Sequence, residues 1–547
     1  MSHTVVRGQP TAAQRYLDTI LDEVLVAQGV TADAAARAAV TLTPLLLHCL
    51  KRQPNATFMT NGATGEVITN EQLLKRAIPL ARALIAAGAK GKYVMLLMRN
   101  HQHMTVVYFA VFLAGIVPYI MDPNTTTYEL THFLNLIEPT YVFHDREHDE
   151  VLHESLNNTD VKPTVFVVDE PQDLTAFVGG SSDDIDSFVA PQASLDDTLI
   201  LLPTSGSTGL PKAAALTHRG LVTQLPSLWA YHTQFPTPTR RVMVLTSAQW
   251  ATFTIMTTTC VVYHVPLLIS PKANTVENVT ELLEKYRPTY TFFGPAFASS
   301  LLPTIRPDQL SSLETLIVLG APATPELMRA VQDKLPKTAH LWDGYGCTEA
   351  QGFVTIPDRD APFKSNGWVV NYLYYKIVDE DGNELGRNQA GELWVKGASV
   401  IKRYHKDDKS YNESFTADGW YKTGDQFYVD ENERLSFVVR IKFSFKFNGC
   451  HVAPEEVERV IFTVPGVSES AVCATDNGPA AAVVKQPNAD LTKEQIHKVV
   501  NENLSDHKHL HGGIVFVPSL PHTHSGKVNR KEASKLILEA VRNGQCT

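Results

Sequence analysis

The segment richest in possible chemistry is residues 201–220, which read LLPTSGSTGLPKAAALTHRG. An apolar run enters a turn of serine, threonine and glycine, and Lys212 closes it. Small residues let backbone N–H groups approach an anion, hydroxyls add donors, and a lysine supplies charge. The composition predicts a phosphate cradle made by Thr204, Ser205, Gly206, Ser207, Thr208, Gly209 and Lys212. It is not the ordinary P-loop G-x-x-x-x-G-K-[ST], because Pro211 follows Gly209-Leu210 and Ala213 follows Lys212. The 58 acidic and 48 basic residues give a formal charge of -10, which repels polyphosphate at long range and leaves no footprint for nucleic acid. A phosphate ligand must therefore be held locally.

Elements able to hold such a turn are legible along the chain. Up to about residue 430, apolar strand-like runs alternate with helical stretches, a pattern of layered α/β architecture with parallel strands. The strands are expected at 93–98, 117–121, 140–143, 164–168, 199–203, 241–245, 261–268, 290–294 and 315–319, with helices at 103–113 and 128–136. Residues 106–121 are apolar throughout, but Gly115 and Pro118 divide them into a buried helix and a short strand, too short for a membrane span of about 20 residues. From about residue 372 short strands and turns take over, with a hairpin expected about Asp381-Gly382 and then GELWVKG. Two amphipathic helices (454–463 and 492–505) and strands near 469–473, 481–485 and 513–517 predict a compact α+β lid. The fold class is thus α/β: a large N-terminal domain (1–439) of layered subdomains with a β-rich part at about 372–439, and a small mobile C-terminal domain (440–547).

Further motifs follow the phosphate turn in order: Gly344-Tyr345-Gly346-Cys347-Thr348-Glu349, Gly391-Glu392-Leu393, residues 419–425 reading GWYKTGD, and Ser525-Gly526-Lys527. Together these resemble the adenylate-forming enzymes, which include acyl-CoA synthetases, 4-coumarate-CoA ligases, beetle luciferases and peptide-synthetase adenylation domains. NQAGELWVKG, DGWYKTGD and GCHVAPEEVE look most like the luciferase and 4-coumarate-CoA ligase branch.

The resemblance implies an ATP-dependent carboxylic acid:CoA ligase with ATP, Mg²⁺ and coenzyme A as cofactors. A hydrophobic acid, fatty or aryl, would react to an acyl-AMP with loss of pyrophosphate and then to a thioester. It implies that the hydroxyl residues of the turn and Lys212 hold the β- and γ-phosphates, Thr348 the α-phosphate, and Glu349 the metal. Asp425 and Arg440 would take the ribose, Gly320, Ala321 and Pro322 the adenine side, and Asp343, Gly344 and Tyr345 would be further cofactor-binding positions. Lys527 would act in adenylation, where an ammonium between carboxylate and α-phosphate offsets their repulsion. Lys446 and Gly449 would serve the coenzyme A step after the lid swings about Arg440. Gln249, Trp250, Leu319, Gly346 and Cys347 would line the acyl pocket.

The chain departs from the family pattern at several places. Gln249 replaces a usual His, Leu319 a usual Gly, Val439 a usual Asp before the hinge arginine, and His451 and Asn448 a usual Gln and Lys. A leucine at 319 either occludes room that a glycine leaves open or simply packs in the core, since its strand is apolar throughout. Two other readings share the motifs: a luciferase-type monooxygenase that oxidises the adenylate, and a degenerate homologue that binds nucleotide without turnover.

Six dispersed cysteines without a C-x-x-C pair argue for a reducing compartment and against a zinc ribbon. The start lacks a compact apolar signal region, and Arg7 and Arg15 give only a weak likeness to a mitochondrial transit peptide. The chain ends Gln-Cys-Thr rather than in a peroxisomal tripeptide, so a cytoplasmic protein is expected. His507, His509, His511, His522 and His524 are expected in solvated loops rather than around a metal. The expected partner is a small carboxylic acid, and the oligomeric state is not legible.

Overall fold

The computed structural model describes residues 10–169, 172–204, 212–229, 239–356, 362–441, 445–447, 450–452, 454–504, 506–522 and 528–546. Two large sheets organise most of it. A six-stranded sheet runs Thr164–Val167, Tyr141–His144, Tyr93–Leu97, Val117–Ile120, Thr198–Thr204 and Lys212–Thr217, parallel except for its last pair. A seven-stranded sheet runs His340–Gly344, Thr315–Leu319, Tyr290–Phe293, Val242–Met243, Leu267–Ile269, Thr57–Asn61 and Val67–Thr69, parallel except for its terminal hairpin.

The helices Gln102–Leu113 and Ala251–Val262 carry no acidic residue, lysine or arginine on any side, and nearly all their residues are buried, as befits central core helices. The Tyr108 hydroxyl donates to Thr254 Oγ1 at 2.9 Å and joins them. The apolar run after residue 105 divides as its sequence predicts: Gly115 adopts a left-handed φ of 66°, and the strand Val117–Ile120 follows. Among the described residues no helix is long and apolar enough to cross a membrane.

The layered α/β reading holds, with local corrections. Residues 261–268 do not form one strand. Val261 and Val262 end the helix Ala251–Val262, His264 turns the chain with φ 55°, and the strand is Leu267–Ile269. A short β-branched apolar run does not distinguish a buried helix end from a buried strand. The strand expected at 241–245 shortens to Val242–Met243. Around Asp381-Gly382 the turn forms, with the Asp379 carboxylate accepting from the backbone N–H of Asp381 and Asn383. Its return arm is only the bridge Val378↔Glu384, and the true partner of Leu373–Val378 is Gly391–Gly397. These two, with Tyr421–Val429 and Leu435–Arg440, make a four-stranded antiparallel sheet.

The C-terminal region is α+β. Strands Val467–Thr475, Gly478–Lys485 and Gly513–Phe516 form its sheet, flanked by helices Pro454–Phe462 and Lys493–Asn503. A third helix, Arg530–Arg542, which the sequence reading did not anticipate, buries Ala533, Ile537 and Ala540.

Candidate active site

The strand Thr198–Thr204 ends where Lys212–Thr217 begins, and Thr204 and Lys212 are direct antiparallel partners. The predicted turn is therefore pinned at both ends, with Thr204 buried. Ser205, Gly206, Ser207, Thr208 and Gly209 lie outside the described residues.

The second motif begins at the end of the strand His340–Gly344 and turns back through Gly346–Cys347, a short helical turn at Thr348–Ala350, and Gly352–Phe353. Gln351 closes the turn in left-handed conformation, fully buried. Its amide locks the turn to the neighbouring sheet: Oε1 accepts from the Thr217 N–H at 2.8 Å, and Nε2 donates to Thr217 Oγ1 at 3.3 Å. Gly220 lies against this amide so closely that a Cβ there would come within 2.2 Å of it. Thr348 and Glu349 are thereby tied to the same strand that carries Lys212. Sequence reasoning missed Gln351, whose only signal was its place just after the Thr-Glu pair.

The stretch 401–405, after the strand Gly391–Gly397, tightens the tie. His405 N–H donates to Ala213 O at 2.8 Å, and Ile401 N–H donates to Glu349 O at 2.8 Å. The Tyr404 hydroxyl donates to Glu349 Oε1 at 2.9 Å, and Lys212 Nζ sits 5.1 Å from the centre of the Tyr404 ring. Tyr404 too was absent from the sequence reading, since an isolated aromatic outside any motif gives no signal.

Tyr345 links this turn to the third motif. Its hydroxyl donates to Asp425 Oδ2 at 2.7 Å, and Arg440 Nη1 reaches Oδ1 and Oδ2 of the same carboxylate at 2.9 and 2.8 Å. Burial and then the Asp425 carboxylate hold the Tyr345 hydroxyl well above its ordinary pKa, so it stays a donor. Burial acts to lower the Arg440 pKa, and the Asp425 carboxylate overrides it, so the guanidinium stays charged. Within Gly391–Gly397, Glu392 accepts from the Gly424 N–H at 2.8 Å and from Trp394 Nε1 at 2.7 Å, which fixes the approach to Asp425.

Asp343 lies next to the end of its strand, buried, and burial pushes its carboxyl well above the ordinary range against the pull of Asn366 and Arg459. Gly344 faces Leu319 across the strand pair. Gly320, Ala321 and Pro322 follow Leu319 as an exposed turn, while Leu319 itself is partly buried against the main core. Gln249 is buried, and its Nε2 donates to Asp122 Oδ2 at 2.6 Å, in the turn after Val117–Ile120. Trp250 caps the helix Ala251–Val262, which packs on Gly352–Phe353 behind the Thr348–Glu349 turn. Burial and then Glu349 push the Cys347 thiol up, away from thiolate chemistry.

Lys446 lies on the strand Phe445–Phe447, its side chain outside the described part, as are Gly449 and Lys527. The segment carrying Lys527 is bounded by the bridge His522↔Val528. Beyond it Arg530 forms ion pairs with Glu458 at 2.6 Å and Glu455 at 3.2 Å. Of the histidines expected in solvated loops, His509 and His511 lie near Asp506, and each has a ring nitrogen committed to a backbone carbonyl, Leu504 O and Asp506 O.

Comparison with known proteins decides what this arrangement belongs to. Residues 46–405 match the AMP-binding enzyme family, and residues 456–527 match the AMP-binding enzyme C-terminal domain. The chain belongs to the AMP-binding enzyme family. Its class is that of the AMP-forming acid–thiol ligases of the adenylate-forming superfamily. A 4-coumarate–CoA ligase of Humulus lupulus is 30% identical over 512 residues, covering 88% of this chain and 91% of the relative. One from Petroselinum crispum is 29% identical, covering 89% and 93%. Among solved structures, ATP-bound MatB from Rhodopseudomonas palustris superposes with a TM-score of 0.81 at 24% identity, over 92% of this chain and 99% of that one. An anthranilate CoA ligase in complex with anthranoyl-AMP gives 0.81 at 20% identity, over 92% and 98%. These last two speak for the shared fold.

Proposed function

We propose that this member of the AMP-binding enzyme family is an ATP-dependent ligase joining a hydrophobic carboxylic acid to coenzyme A. The observation that carries the reading is the convergence on one motif, residues 344–349. Through Tyr345 it touches the Asp425–Arg440 pair, and through Glu349 and Tyr404 it reaches Lys212 at the end of the phosphate turn. Polyphosphate, metal and ribose functions thereby share one rigid frame. The relatives named 4-coumarate–CoA ligases support an aryl acid as the first class to try.

In this reading, Thr204, the hydroxyls and backbone of residues 205–209, and Lys212 hold the β- and γ-phosphates, and Thr348 holds the α-phosphate. Asp425 accepts hydrogen bonds from the ribose hydroxyls with Arg440 beside it, while the 320–322 turn and residues 343–345 flank the base. The carboxylate of Glu349 suits Mg²⁺, a hard cation that takes oxygen ligands and, when bound, neutralises phosphate charge. Gln249, Trp250, Leu319, Gly346 and Cys347 shape the acid's site. The pinned side chains orient carboxylate and α-phosphate in line, so catalysis rests on position and electrostatics. Lys527 supplies the cation between the two anions. The C-terminal part, beyond Arg440, then turns as a unit to bring Lys446 and Gly449 to the thioester step.

The test is acid-dependent pyrophosphate release with ATP and Mg²⁺ over a panel of aryl and fatty acids, with and without coenzyme A. Release with one acid class, followed by coenzyme A-dependent thioester, is the expected result. Adenylation without thioester but with light emission from a luciferin would replace the reading with an oxygenase. Silence across the panel with ATP still bound would replace it with a binding protein.

A further inference from the structure

We propose that Tyr404 is a positioning residue that sets Lys212 and Glu349 together on the polyphosphate while keeping the two charges apart. The proposal rests on the reading of Lys212 and Glu349 given above and adds the residue that couples them.

The phenol ring carries Lys212 Nζ over its face at 5.1 Å, and its hydroxyl donates to Glu349 Oε1 at 2.9 Å. Face and hydroxyl are the two ends of one rigid group, so the ammonium and the carboxylate are held at the separation that a phenol imposes. Without that spacer, a flexible lysine and an acid converging on one site would collapse into a pair that neutralises both. The ring cannot drift. Tyr404 is 3% exposed, and its backbone pairs with Ala214, with His405 N–H to Ala213 O and Ala215 N–H to Arg403 O on either side. Three residues earlier, Ile401 N–H holds the carbonyl of Glu349 itself. The stretch 401–405 thus stitches the phosphate-turn strand to the acid's turn, and Tyr404 is its inward tooth. Burial and then the Glu349 carboxylate raise the Tyr404 hydroxyl far above neutrality, so it remains a donor, with Ser414 as a further hydrogen-bond partner. A hydroxyl that orients an acid in this way stands to a metal ligand as an outer partner, whose loss costs about 10- to 100-fold in metal affinity.

The experiment is equilibrium ATP binding to the full chain, first in EDTA and then titrated with Mg²⁺. Tyr404→Phe is expected to leave affinity in EDTA unchanged and to raise the Mg²⁺ midpoint about 10-fold. Tyr404→Leu, which also removes the aromatic face, is expected to weaken binding in EDTA by a further two- to five-fold or so. Glu349→Gln should raise the Mg²⁺ midpoint, and the double variant Tyr404→Phe with Glu349→Gln should match Glu349→Gln alone. An unmoved midpoint in Tyr404→Phe beside a shifted Glu349→Gln, or additive shifts in the double variant, overturns the role of Tyr404 and leaves the functional reading standing. An unmoved midpoint in Glu349→Gln overturns the metal role of Glu349 and this proposal with it. Should Tyr404→Phe fail to fold, 3-fluorotyrosine at position 404 keeps the hydroxyl. Its ¹⁹F resonance is expected to move in both Glu349→Gln and Lys212→Met, and a resonance unmoved by either overturns the coupling.

Discussion

Asp425 and Arg440 are register partners on adjacent antiparallel strands, and one guanidinium nitrogen of Arg440 donates to both carboxylate oxygens of Asp425. The backbone register sets the pair, so its geometry does not depend on a long side chain finding its partner. The carboxylate also takes the Tyr345 hydroxyl, which leaves it oriented from two sides.

Replacing Asp425 by Asn keeps the shape and removes the charge that both partners address. Hydrogen bonds to charged groups contribute about 1.5–3 kcal/mol, so nucleotide affinity is expected to fall about 10- to 100-fold. The native chain should discriminate ATP from 3′-deoxy-ATP and the variant should not; retained discrimination would rule out the ribose role.

The two lysines should separate the two half-reactions. Lys527→Ala is expected to slow pyrophosphate release by on the order of 10² to 10³. Lys446→Ala should spare that step and weaken conversion of supplied acyl-adenylate to thioester. Equal loss of pyrophosphate release in both variants would count against a lid with two working poses.

Buried Glu458 and half-buried Arg530 form an ion pair, with the Val472 N–H also donating to Glu458 Oε1 at 2.7 Å. Removing one partner of such a pair costs about 3–5 kcal/mol. For Glu458→Ala the lower end is expected, because Glu455 stays within 3.2 Å of Arg530. Denaturant unfolding of the full chain measures it, and a loss below about 1 kcal/mol would show the pair to be dispensable.

His218 gives the fold a pH dependence. It is buried, its Nδ1 accepts from the Leu42 N–H at 3.3 Å, and burial lowers its pKa from 6.5 to about 4. The folded state thus keeps the ring neutral where the unfolded chain takes up a proton. This contribution is complete above about pH 6.5 and is lost as pH falls toward 4, amounting to roughly 3 kcal/mol. His264, lowered to about 4 chiefly by burial, acts in the same direction. Comparing unfolding at pH 7 and pH 5 for the native chain and His218→Gln checks this. An unchanged pH slope in the variant would assign the dependence elsewhere.

Much of this site is legible in sequence because its parts are contiguous. The strand into Thr204, the turn, and Lys212 occupy one stretch, and 344–349 another, so residue type and spacing alone mark them. What is not legible is what joins them. Gln351, Tyr404 and Asn366 act through contacts with residues far away in the chain, and as single polar or aromatic positions they look like any others. The same limit explains the elements. Helix 102–113 was visible because a glycine ends it, whereas 261–268 changed from helix to strand inside one apolar run with no punctuation. The helix Arg530–Arg542 begins three residues after Lys527, close behind a Ser-Gly pair that reads as loop.

Gly220 and Gln351 carry an evolutionary corollary. The missing side chain of one is the space occupied by the amide of the other, so a larger residue at 220 must push the Gln351 amide off its hydrogen bonds to Thr217. A side chain at 220 is expected to be tolerated only beside a smaller residue at 351, whereas a smaller residue at 351 alone meets no clash and leaves a gap beside Gly220. Grafting the helix His218–Gln224 with a side chain at position 220 should therefore fail unless residue 351 is changed with it.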